Sequence, residues 1–383
     1  MKKVMLLFFS AVFCFVLACG AVGAAAEEAL SPACKAAYLC DWRSGTAVYE
    51  KEADRHLPIA SMCKIMTLLL CFEEADAGRL AWDECIPVSP EASGMGGSQV
   101  FLEAGGEYPA EALIESICIA SANDSCVAMA ERISGSEALF VNKMNERAKQ
   151  LGMENTVFVN CTGLPAAGQY SCARDVAAML SALLCHAKYY EFSKIRLDTI
   201  EHSGGRETQM TNTNKLVRGY VGCDGGKTGY TSEAGHCLAA TAQRGHMRVV
   251  AVVIGAPDSD SRFQGVRNLF DYAFANYTSR HVFEEGVLPD EFCPVTGGKK
   301  AEAAVRPAQA GYVFCARGDT DEIFFEAEYK KLRAPVRAGE AVGEAVIYKN
   351  NVEIDRIPLL SNEDIAKRGY LDALQEIASG WNW

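Results

Sequence analysis

The apolar run from Val249 to Ile254 constrains the fold of this chain more than any other segment. A strand that is exposed on one face alternates apolar and polar residues, whereas a run that is apolar throughout needs cover on both faces. We therefore predict a central strand that is buried on both faces. The turn residues of segment 244–246 precede it, so the neighbouring strand pattern at 237–242 should join it as a hairpin.

The segments around this strand predict the rest of the first domain. Two short strand patterns at 37–41 and 47–49 form a second hairpin, and 108–187 is mostly helical in its periodicity. A closing helix is predicted at 262–277. Strands, helices, strands and a final helix in this order predict an α+β fold with a helical insertion, over residues 27–280.

The remaining sequence predicts a small all-β domain at 281–360, followed by a helix. Asn350 and Asn351 separate two strand patterns and favour a type I′ hairpin turn. Ser361, with Asp364 three residues later, has the pattern of a helix cap. Because the apolar residues that follow fall on one stripe, residues 361–383 are predicted to form an amphipathic helix.

The N-terminus has the features of a targeting segment. Two lysines precede an apolar run at 5–16, and the alanines at 24–26 suit a peptidase cleavage site. We therefore predict a signal peptide at 1–26 and a mature chain that works outside the cytoplasmic membrane. A retained membrane anchor is one alternative, and lipid attachment at Cys19, within a lipobox-like sequence, is another.

Composition excludes several functional classes. The formal net charge is −12 and no basic cluster stands out, which argues against a nucleic-acid partner. The 16 cysteines are scattered through apolar runs and are predicted to be small core residues rather than a disulfide framework. Because no C-x-x-C pair or metal-ligand spacing of histidines is present, we expect no metal site.

Ser61 and Lys64 form the only S-x-x-K pattern of the chain. A helix predicted from Ser61 to about Glu74 is apolar nearly all round, so it should be buried. Residues three apart on a helix lie on the same side. The pattern therefore puts an amine beside a hydroxyl, which a serine nucleophile needs when no histidine serves as its base.

Two further motifs complete a known combination. Ser121-Ala122-Asn123 interrupts helical periodicity, and Lys227-Thr228-Gly229 enters a predicted strand. In this order, S-x-x-K, S-x-N and K-T-G characterise a set of serine acyltransferases.

Longer segments around these motifs resemble the low-molecular-weight penicillin-binding proteins, specifically D-alanyl-D-alanine carboxypeptidases of the Gram-positive type. The segments are the sequences SANDS at 121–125, GM-NT-FVN at 152–160 and DGGKTGYT at 224–231. The resemblance covers the chain from about residue 30 to its end. It implies the penicillin-binding and β-lactamase-like transpeptidase fold, with an antiparallel sheet, and it implies no metal or cofactor.

Each catalytic candidate then has an expected role. Ser61 attacks the carbonyl of the penultimate D-alanine and forms an acyl-enzyme. Lys64 is the base, so its amine must be neutral. Ser121 relays a proton to the leaving nitrogen, and Asn123 holds Lys64 and the substrate amide.

The substrate-binding candidates lie on the predicted strand and the closing helix. Lys227 and Thr228 face the terminal carboxylate of the peptide, and Gly229 lets the substrate backbone lie along the strand. The N–H groups of Ser61 and Tyr230 form an oxyanion hole. Arg262 resembles a family arginine at the carboxylate site, with a surface cation as the alternative.

The chain departs from the family pattern in two places. Cys63 stands where threonine is usual, and Cys161-Thr162 replaces a different pair. No catalytic group is lost, but a thiol between nucleophile and base is expected to make the site sensitive to thiol reagents.

The expected partners are peptidoglycan stem peptides and, as inhibitors, β-lactams. Two other functions compete, a β-lactamase and a non-catalytic wall-binding protein of the same fold. Residues 155–165 lack the E-x-x-L-N pattern that class A β-lactamases need for deacylation. Tryptophans at 381 and 383 favour membrane contact through 361–383, whereas the acidic residues of that segment oppose it.

Overall fold

The computed structural model describes residues 30, 32–286, 288, 291–370 and 372. The predicted signal peptide lies outside these residues. The chain divides into two compact units, the first ending at Ala275 and the second starting at Asn276.

The first unit contains nine strands, nine α-helices and two 3₁₀ helices among the described residues. The strands are β1 (Ala36–Asp41), β2 (Ala47–Lys51), β3 (Cys85–Pro87), β4 (Glu107–Pro109), β5 (Leu197–Glu201), β6 (Glu207–Thr211), β7 (Cys223–Thr231), β8 (Gly235–Arg244) and β9 (Met247–Ala256). The helices are α1 (Lys64–Asp76), α2 (Pro90–Ser93), α3 (Ala110–Ile119), α4 (Asn123–Ser134), α5 (Glu137–Gln150), α6 (Ala173–Leu183), α7 (Tyr189–Ser193), α8 (Leu216–Gly219) and α9 (Ser259–Asn276).

A five-stranded antiparallel sheet organises the first unit, in the order β2-β1-β9-β8-β7. The predicted central strand is confirmed, because β9 pairs with β1 on one side and β8 on the other. Its alternate residues Val250 and Val252 belong to the core that includes α6, whereas Val253 lies against Gly265 of α9. Both faces of β9 are therefore covered, as its uniformly apolar sequence requires.

Helix α1 runs through the helical core, buried along most of its length. It packs against α3, α4 and α6. The predicted helix start at Ser61 is too early, because Ala60–Cys63 is a 3₁₀ turn and the α-helix begins at Lys64. Ala60 takes a φ of 47°, a left-handed conformation that turns the chain sharply into this segment.

Two of the helices that follow show how local residues set their limits. The side chain of Ser136 accepts the N–H of Leu139 and caps α5. Helix α3 ends at Ile119 and α4 begins at Asn123, so the Ser121 segment is the predicted break. Ser121 has a φ of 65°, which a non-glycine residue adopts at an energetic cost.

The second unit is the predicted all-β domain. Its strands are β10 (Tyr277–Phe283), β11 (Phe292–Thr296), β12 (Glu302–Pro307), β13 (Gly311–Ala316), β14 (Ile323–Tyr329), β15 (Leu332–Arg333), β16 (Ala341–Lys349) and β17 (Val352–Ser361). Six form a sheet in the order β14-β16-β17-β12-β11-β15. Asn350 and Asn351 both have positive φ, at 48° and 62°, as a type I′ turn requires.

The helix predicted from Ser361 is wrong in its start. Ser361 is the last residue of β17, and residues 362–369 contain no helix. Ile365 forms a β-bridge with Val336 and is 2% exposed in the core of this unit. Asp364 accepts the N–H of Ala338 instead of capping a helix. Burial of Ile365 therefore holds the segment on the sheet, against its helical periodicity.

Residues 371 and 373–383 of the predicted amphipathic helix lie outside the described residues. Within the part of the chain that is described, no helix has the length and apolarity that crossing a bilayer requires.

The cysteines confirm the prediction made for them. All 14 described cysteines are free, and 11 of them are buried. Burial raises the pKa of these buried thiols, which keeps them protonated. They act as small apolar residues of the core.

Replacement of the α5 cap tests the local part of this description. We expect Ser136→Ala to lower the free energy of unfolding of the first unit by about 1 kcal/mol, because the N–H of Leu139 loses its acceptor. Ser136→Asp restores an acceptor and is expected to keep the wild-type value. Urea titration followed by circular dichroism measures both; equal stability of the alanine variant and wild type contradicts the assignment.

Candidate active site

The start of α1 places an amine against a hydroxyl. Lys64 Nζ donates a hydrogen bond to Ser61 Oγ at 3.0 Å and another to the carbonyl oxygen of Thr162. Lys64 has no exposed surface. No carboxylate among the described residues forms an ion pair with it, so burial is not offset by a full negative charge.

This environment lowers the pKa of both buried lysines of the site. Burial lowers the pKa of Lys64 below its ordinary value. Burial first, then the charges of Lys64 and Arg262, lower the pKa of Lys227 to about 7. Because each ammonium disfavours the other, the site favours one neutral amine beside one charged amine.

The segment 160–162 satisfies its carbonyl groups with side chains of the α1 region. Asn160 O accepts from Cys63 Sγ at 3.3 Å, and Cys161 O accepts from Thr67 Oγ1 at 2.7 Å. Thr162 O takes the bond from Lys64 already described. These three bonds fix the segment along α1 and hold the lysine amine in place. Sequence reasoning gave no role to Thr67 or to this segment.

Gly163 then brings the chain into contact with the nucleophile turn. Its φ is 79°, and a Cβ there would stand 2.0 Å from the carbonyl oxygen of Ala60. Only glycine fits this approach. Among the described residues, no carboxylate side chain contacts Ser61 Oγ or Lys64 Nζ, and no group of three acidic, cysteine or histidine side chains is placed to hold a metal ion.

Cys63 is not placed to react, contrary to the expectation of sensitivity to thiol reagents. It has no exposed surface, and burial raises the pKa of its thiol far above the ordinary value. A protonated, inaccessible thiol is a poor nucleophile. Its Sγ instead donates to Asn160 O, as a threonine hydroxyl at this position is able to do.

Ser121 and Asn123 contribute polar atoms that have no partner. Ser121 Oγ and Asn123 Oδ1 are both buried without a hydrogen bond, so the predicted bond between Asn123 and Lys64 is not formed. The amide of Asn123 donates to Gly96 O at 2.6 Å instead. Buried polar atoms are rarely left unpaired in folded proteins. Their accumulation at the break between α3 and α4 marks this position as a binding surface.

Asp124 holds the loop beside this break, a role that sequence reasoning missed. Its carboxylate accepts the N–H groups of Val100 and Leu102. It lies next to Asn123, whose own N–H donates to Ser98 O at 2.7 Å. The loop is therefore tied to α4 by adjacent residues, and the aspartate of the sequence SANDS was the available signal.

The K-T-G residues lie inside β7 rather than at its entrance. Lys227 is 1% exposed, and Thr228 Oγ1 donates to Thr213 Oγ1 at 2.8 Å. A Cβ on Gly229 would stand 2.8 Å from Ile59 O and 3.2 Å from Ser61 N. The nucleophile turn packed against it therefore requires a glycine here, which is a reason that sequence reasoning missed.

Tyr230 and Arg262 border the end of this strand. Tyr230 is 59% exposed, and its ring packs against that of His236 with centroids 4.4 Å apart and planes tilted by 31°. Arg262 of α9 is not a surface cation, because its Nη1 donates to Gly229 O at 3.1 Å and to Cys237 O at 3.4 Å. Its buried Nε has no partner, and burial lowers the pKa of the guanidinium.

Comparison with known proteins supports the resemblance found in the sequence over nearly the whole chain. A family model described as D-alanyl-D-alanine carboxypeptidase matches residues 23–258. A second, described as penicillin-binding protein 5, C-terminal domain, matches residues 277–367. This chain belongs to the D-alanyl-D-alanine carboxypeptidase family.

Individual members of the family show how far the similarity extends. The D-alanyl-D-alanine carboxypeptidase DacF of Bacillus subtilis is 36% identical over 349 residues, which are 91% of this chain and 90% of that protein. The structure of PBP3 from Streptococcus pneumoniae, titled a peptidoglycan synthesis regulatory factor, matches with a TM-score of 0.72 and 26% identity, over 88% of this chain and 100% of that one.

A structure of penicillin-binding protein D2 from Listeria monocytogenes, in an ampicillin-bound form, is 31% identical with a TM-score of 0.57. It covers 64% of this chain and 99% of its own. The fold predicted from sequence, a penicillin-binding protein fold with an added β-domain, is therefore confirmed.

The contact between β7 and the nucleophile turn gives a first prediction for this family member. We expect Gly229→Ala to lower the rate of acylation by a fluorescent penicillin at least tenfold, because the added methyl group displaces the turn that carries Ser61. Gly286→Ala, where a Cβ meets no atom within 4 Å, is the control. Equal acylation rates in both variants would contradict the role of Gly229 in positioning the Ser61 turn.

Burial of Lys227 gives a second prediction, about stability and pH. The pKa of Lys227 is about 7 in the fold and near 10.4 in the unfolded chain, so the unfolded state binds more protons above pH 7. The contribution of this lysine to stability should therefore rise from about pH 7 to about pH 8.5, whereas the buried thiols, which ionise more readily in the unfolded chain, act in the opposite direction in every variant. In Lys227→Met this contribution is absent, and its stability gain over wild type should shrink across the same window.

Lys149→Met, at an exposed lysine, is the matched control and should show a constant difference from wild type. Urea titrations at several pH values measure all three proteins. A gain for Lys227→Met that does not change with pH contradicts the buried, pKa-shifted state of this lysine.

Proposed function

We propose that this protein is a serine-type D-Ala-D-Ala carboxypeptidase that removes the terminal D-alanine from peptidoglycan stem pentapeptides. The hydrogen bond from Lys64 Nζ to Ser61 Oγ, within a site that lowers the pKa of the amine, carries the proposal. A neutral lysine is a competent general base for a serine hydroxyl. Membership of the carboxypeptidase family supplies the substrate class.

Acylation begins with the attack of Ser61 Oγ on the carbonyl carbon of the penultimate D-alanine. The hydroxyl proton passes to Lys64 Nζ, and the oxyanion is bound by the N–H groups of Ser61 and Tyr230. The proton then returns through Ser121 Oγ to the nitrogen of the terminal D-alanine. The C–N bond breaks, D-alanine leaves, and an ester joins the remaining peptide to Ser61.

The unpartnered polar atoms suit the two ends of the scissile bond. Ser121 Oγ and Asn123 Oδ1 offer a proton relay and an acceptor for a substrate amide N–H. Lys227 and Thr228 offer a cation and a hydroxyl to the terminal carboxylate. Arg262 supports the same end by holding the carbonyl oxygen of Gly229. Water then hydrolyses the ester, with Lys64 again accepting a proton.

The same site accounts for the binding of β-lactams. A strained lactam carbonyl acylates Ser61, while the lactam carboxylate takes the place of the peptide carboxylate near Lys227. The ampicillin-bound Listeria relative supports this part of the proposal. A class A β-lactamase needs a glutamate carboxylate to activate water at the acyl-enzyme. Here Lys64 contacts the carbonyl of Thr162, and no described carboxylate contacts Lys64 or Ser61.

We also propose that the protein is exported, with a leader at 1–26, and that it acts on the outer side of the cytoplasmic membrane. The peptidoglycan substrate class supports this location. The terminal segment, which contains tryptophans at 381 and 383, is proposed to contact the membrane peripherally. Because bridges at Ile365 and Lys367 hold residues 362–369 against the β-domain, this contact begins near Tyr370 rather than at Ser361.

Covalent labelling tests the proposed chemistry. We expect wild type to take up a fluorescent penicillin and to hold it as a long-lived ester, whereas Ser61→Ala should take up none. Ser44→Ala, in the turn between β1 and β2, should label like wild type. Uptake by Ser61→Ala equal to that of wild type contradicts the role of Ser61, and rapid release of the label indicates a β-lactamase.

Release of D-alanine from a diacyl-Lys-D-Ala-D-Ala peptide separates the enzyme from a wall-binding protein. We expect release by wild type and Ser44→Ala, and a loss of at least a thousandfold in Ser61→Ala, since the nucleophile is absent. Penicillin labelling without any release of D-alanine by wild type would leave a penicillin-binding fold without the proposed activity.

A further inference from the structure

The β-rich unit contains a basic pocket at the point where the chain reaches its terminal segment. The pocket has a volume of about 400 Å³, and its lining includes Arg333, Lys367, Arg368 and Tyr370. It belongs to the second unit alone and shares no residue with the candidate active site. We call it the basic pocket.

Three separate segments build the basic pocket, which explains why it is not visible in the sequence. Arg368 N donates to Gly297 O at 2.9 Å, and Ala334 N donates to Thr296 O at 3.0 Å. Gly298 also forms a β-bridge with Lys367. The turn after β11 thus joins the end of β15 on one side and the segment after β17 on the other. These backbone bonds hold three cationic side chains around one cavity.

In the sequence, the acidic residues of this segment oppose contact with an anionic membrane. In the structure, ion pairs neutralise two of them. Lys300 forms an ion pair with Glu363, and Lys299 forms one with Asp372 at 2.9 Å. The nearby acids are therefore matched by lysines from the turn after β11. Arg368 also interacts electrostatically with Asp372, so the charge that adds to this rim is that of Arg333 and Lys367. Their charge favours a positive local potential on a chain whose formal net charge is −12.

The composition of the basic pocket fits a phosphate diester. Guanidinium groups bind phosphate oxygens through two parallel N–H donors, and lysine adds a compact charge. Gly297 and Gly369 leave backbone exposed at the wall, and the ring of Tyr370 is 79% exposed at the rim. An amphipathic aromatic ring beside cations is typical of residues at the level of lipid headgroups.

We propose that the basic pocket binds the phosphate of an anionic phospholipid headgroup. The proposal rests on the peripheral membrane contact proposed above for the terminal segment. Tyr370 lies on the rim, so the pocket stands where that segment leaves the β-domain. The pocket supplies the electrostatic attraction, and the tryptophans of the terminal segment supply apolar contact. A negatively charged protein would otherwise be repelled by an anionic bilayer.

Vesicle sedimentation with the purified protein tests the proposal. The probes are vesicles of phosphatidylcholine mixed with phosphatidylglycerol, and vesicles of phosphatidylcholine alone. We expect tighter binding to the anionic vesicles, weakened by salt. The double variant Arg333→Ala, Lys367→Ala should bind them about 25-fold more weakly, at about fivefold for each cation removed. Arg55→Ala, Lys149→Ala, at exposed cations of the first unit, makes the same change in net charge and should bind like wild type.

Binding of the pocket variant equal to that of wild type, or equal weakening in both double variants, overturns the proposal. Soluble glycerol phosphate and poly(glycerol phosphate) distinguish the source of the phosphate. Binding to the polymer through Arg333 and Lys367, without binding to vesicles, overturns the assignment to a lipid headgroup. Release of D-alanine from a soluble peptide should be unchanged in the pocket variant. Absence of this release in wild type would contradict the proposed enzymatic function, while the vesicle measurements would still decide the proposal for the basic pocket.

Discussion

Burial of the Lys64 amine is the constraint on which the site depends. An ammonium group without exposed surface is unfavourable unless a charge balances it, and its described partners are the hydroxyl of Ser61 and the carbonyl of Thr162. Loss of the proton relieves this penalty. The same burial that makes the lysine difficult to accommodate therefore makes it a base. A solvated lysine at this position would keep its ordinary pKa and remain charged.

The surrounding structure can be understood as the means of holding this arrangement. Carbonyls of segment 160–162 are satisfied from the α1 region, so the acceptor for Lys64 is fixed without a competing carboxylate. Gly163 and Gly229 allow backbone to press against the Ser61 turn from two sides. Asp124 ties the loop at 100–102 to the start of α4, beside Asn123. Each of these contacts is made to a backbone group beside the site.

The second unit uses similar physics for a different purpose. Ile365 is drawn into the core of the sheet, and its burial prevents the amphipathic pattern from starting a helix at Ser361. The segment held in this way brings Lys367 and Arg368 beside Arg333. Stabilisation of a β-core and creation of a basic pocket are thus consequences of the same pairing.

Local sequence patterns determined a large part of this protein. The uniformly apolar run at 249–254 required a central strand, and the motifs at Ser61, Ser121 and Lys227 indicated the candidate site and the family. These inferences succeeded because strand burial, helix capping and motif spacing depend on residues close together in the chain. Family resemblance also identified Arg262 as a candidate, although the sequence did not determine which groups it contacts.

Only the tertiary structure decided what surrounds those residues. The bond between Lys64 and Thr162 O joins residues 98 positions apart, and the close packing of Gly229 on the Ser61 turn joins a strand to a distant segment. The structure likewise decided that Cys63 is an inaccessible donor, and that the acidic residues near the terminal segment are paired with lysines of another turn. Burial and electrostatic pairing depend on neighbours in space, and a sequence pattern specifies only neighbours along the chain.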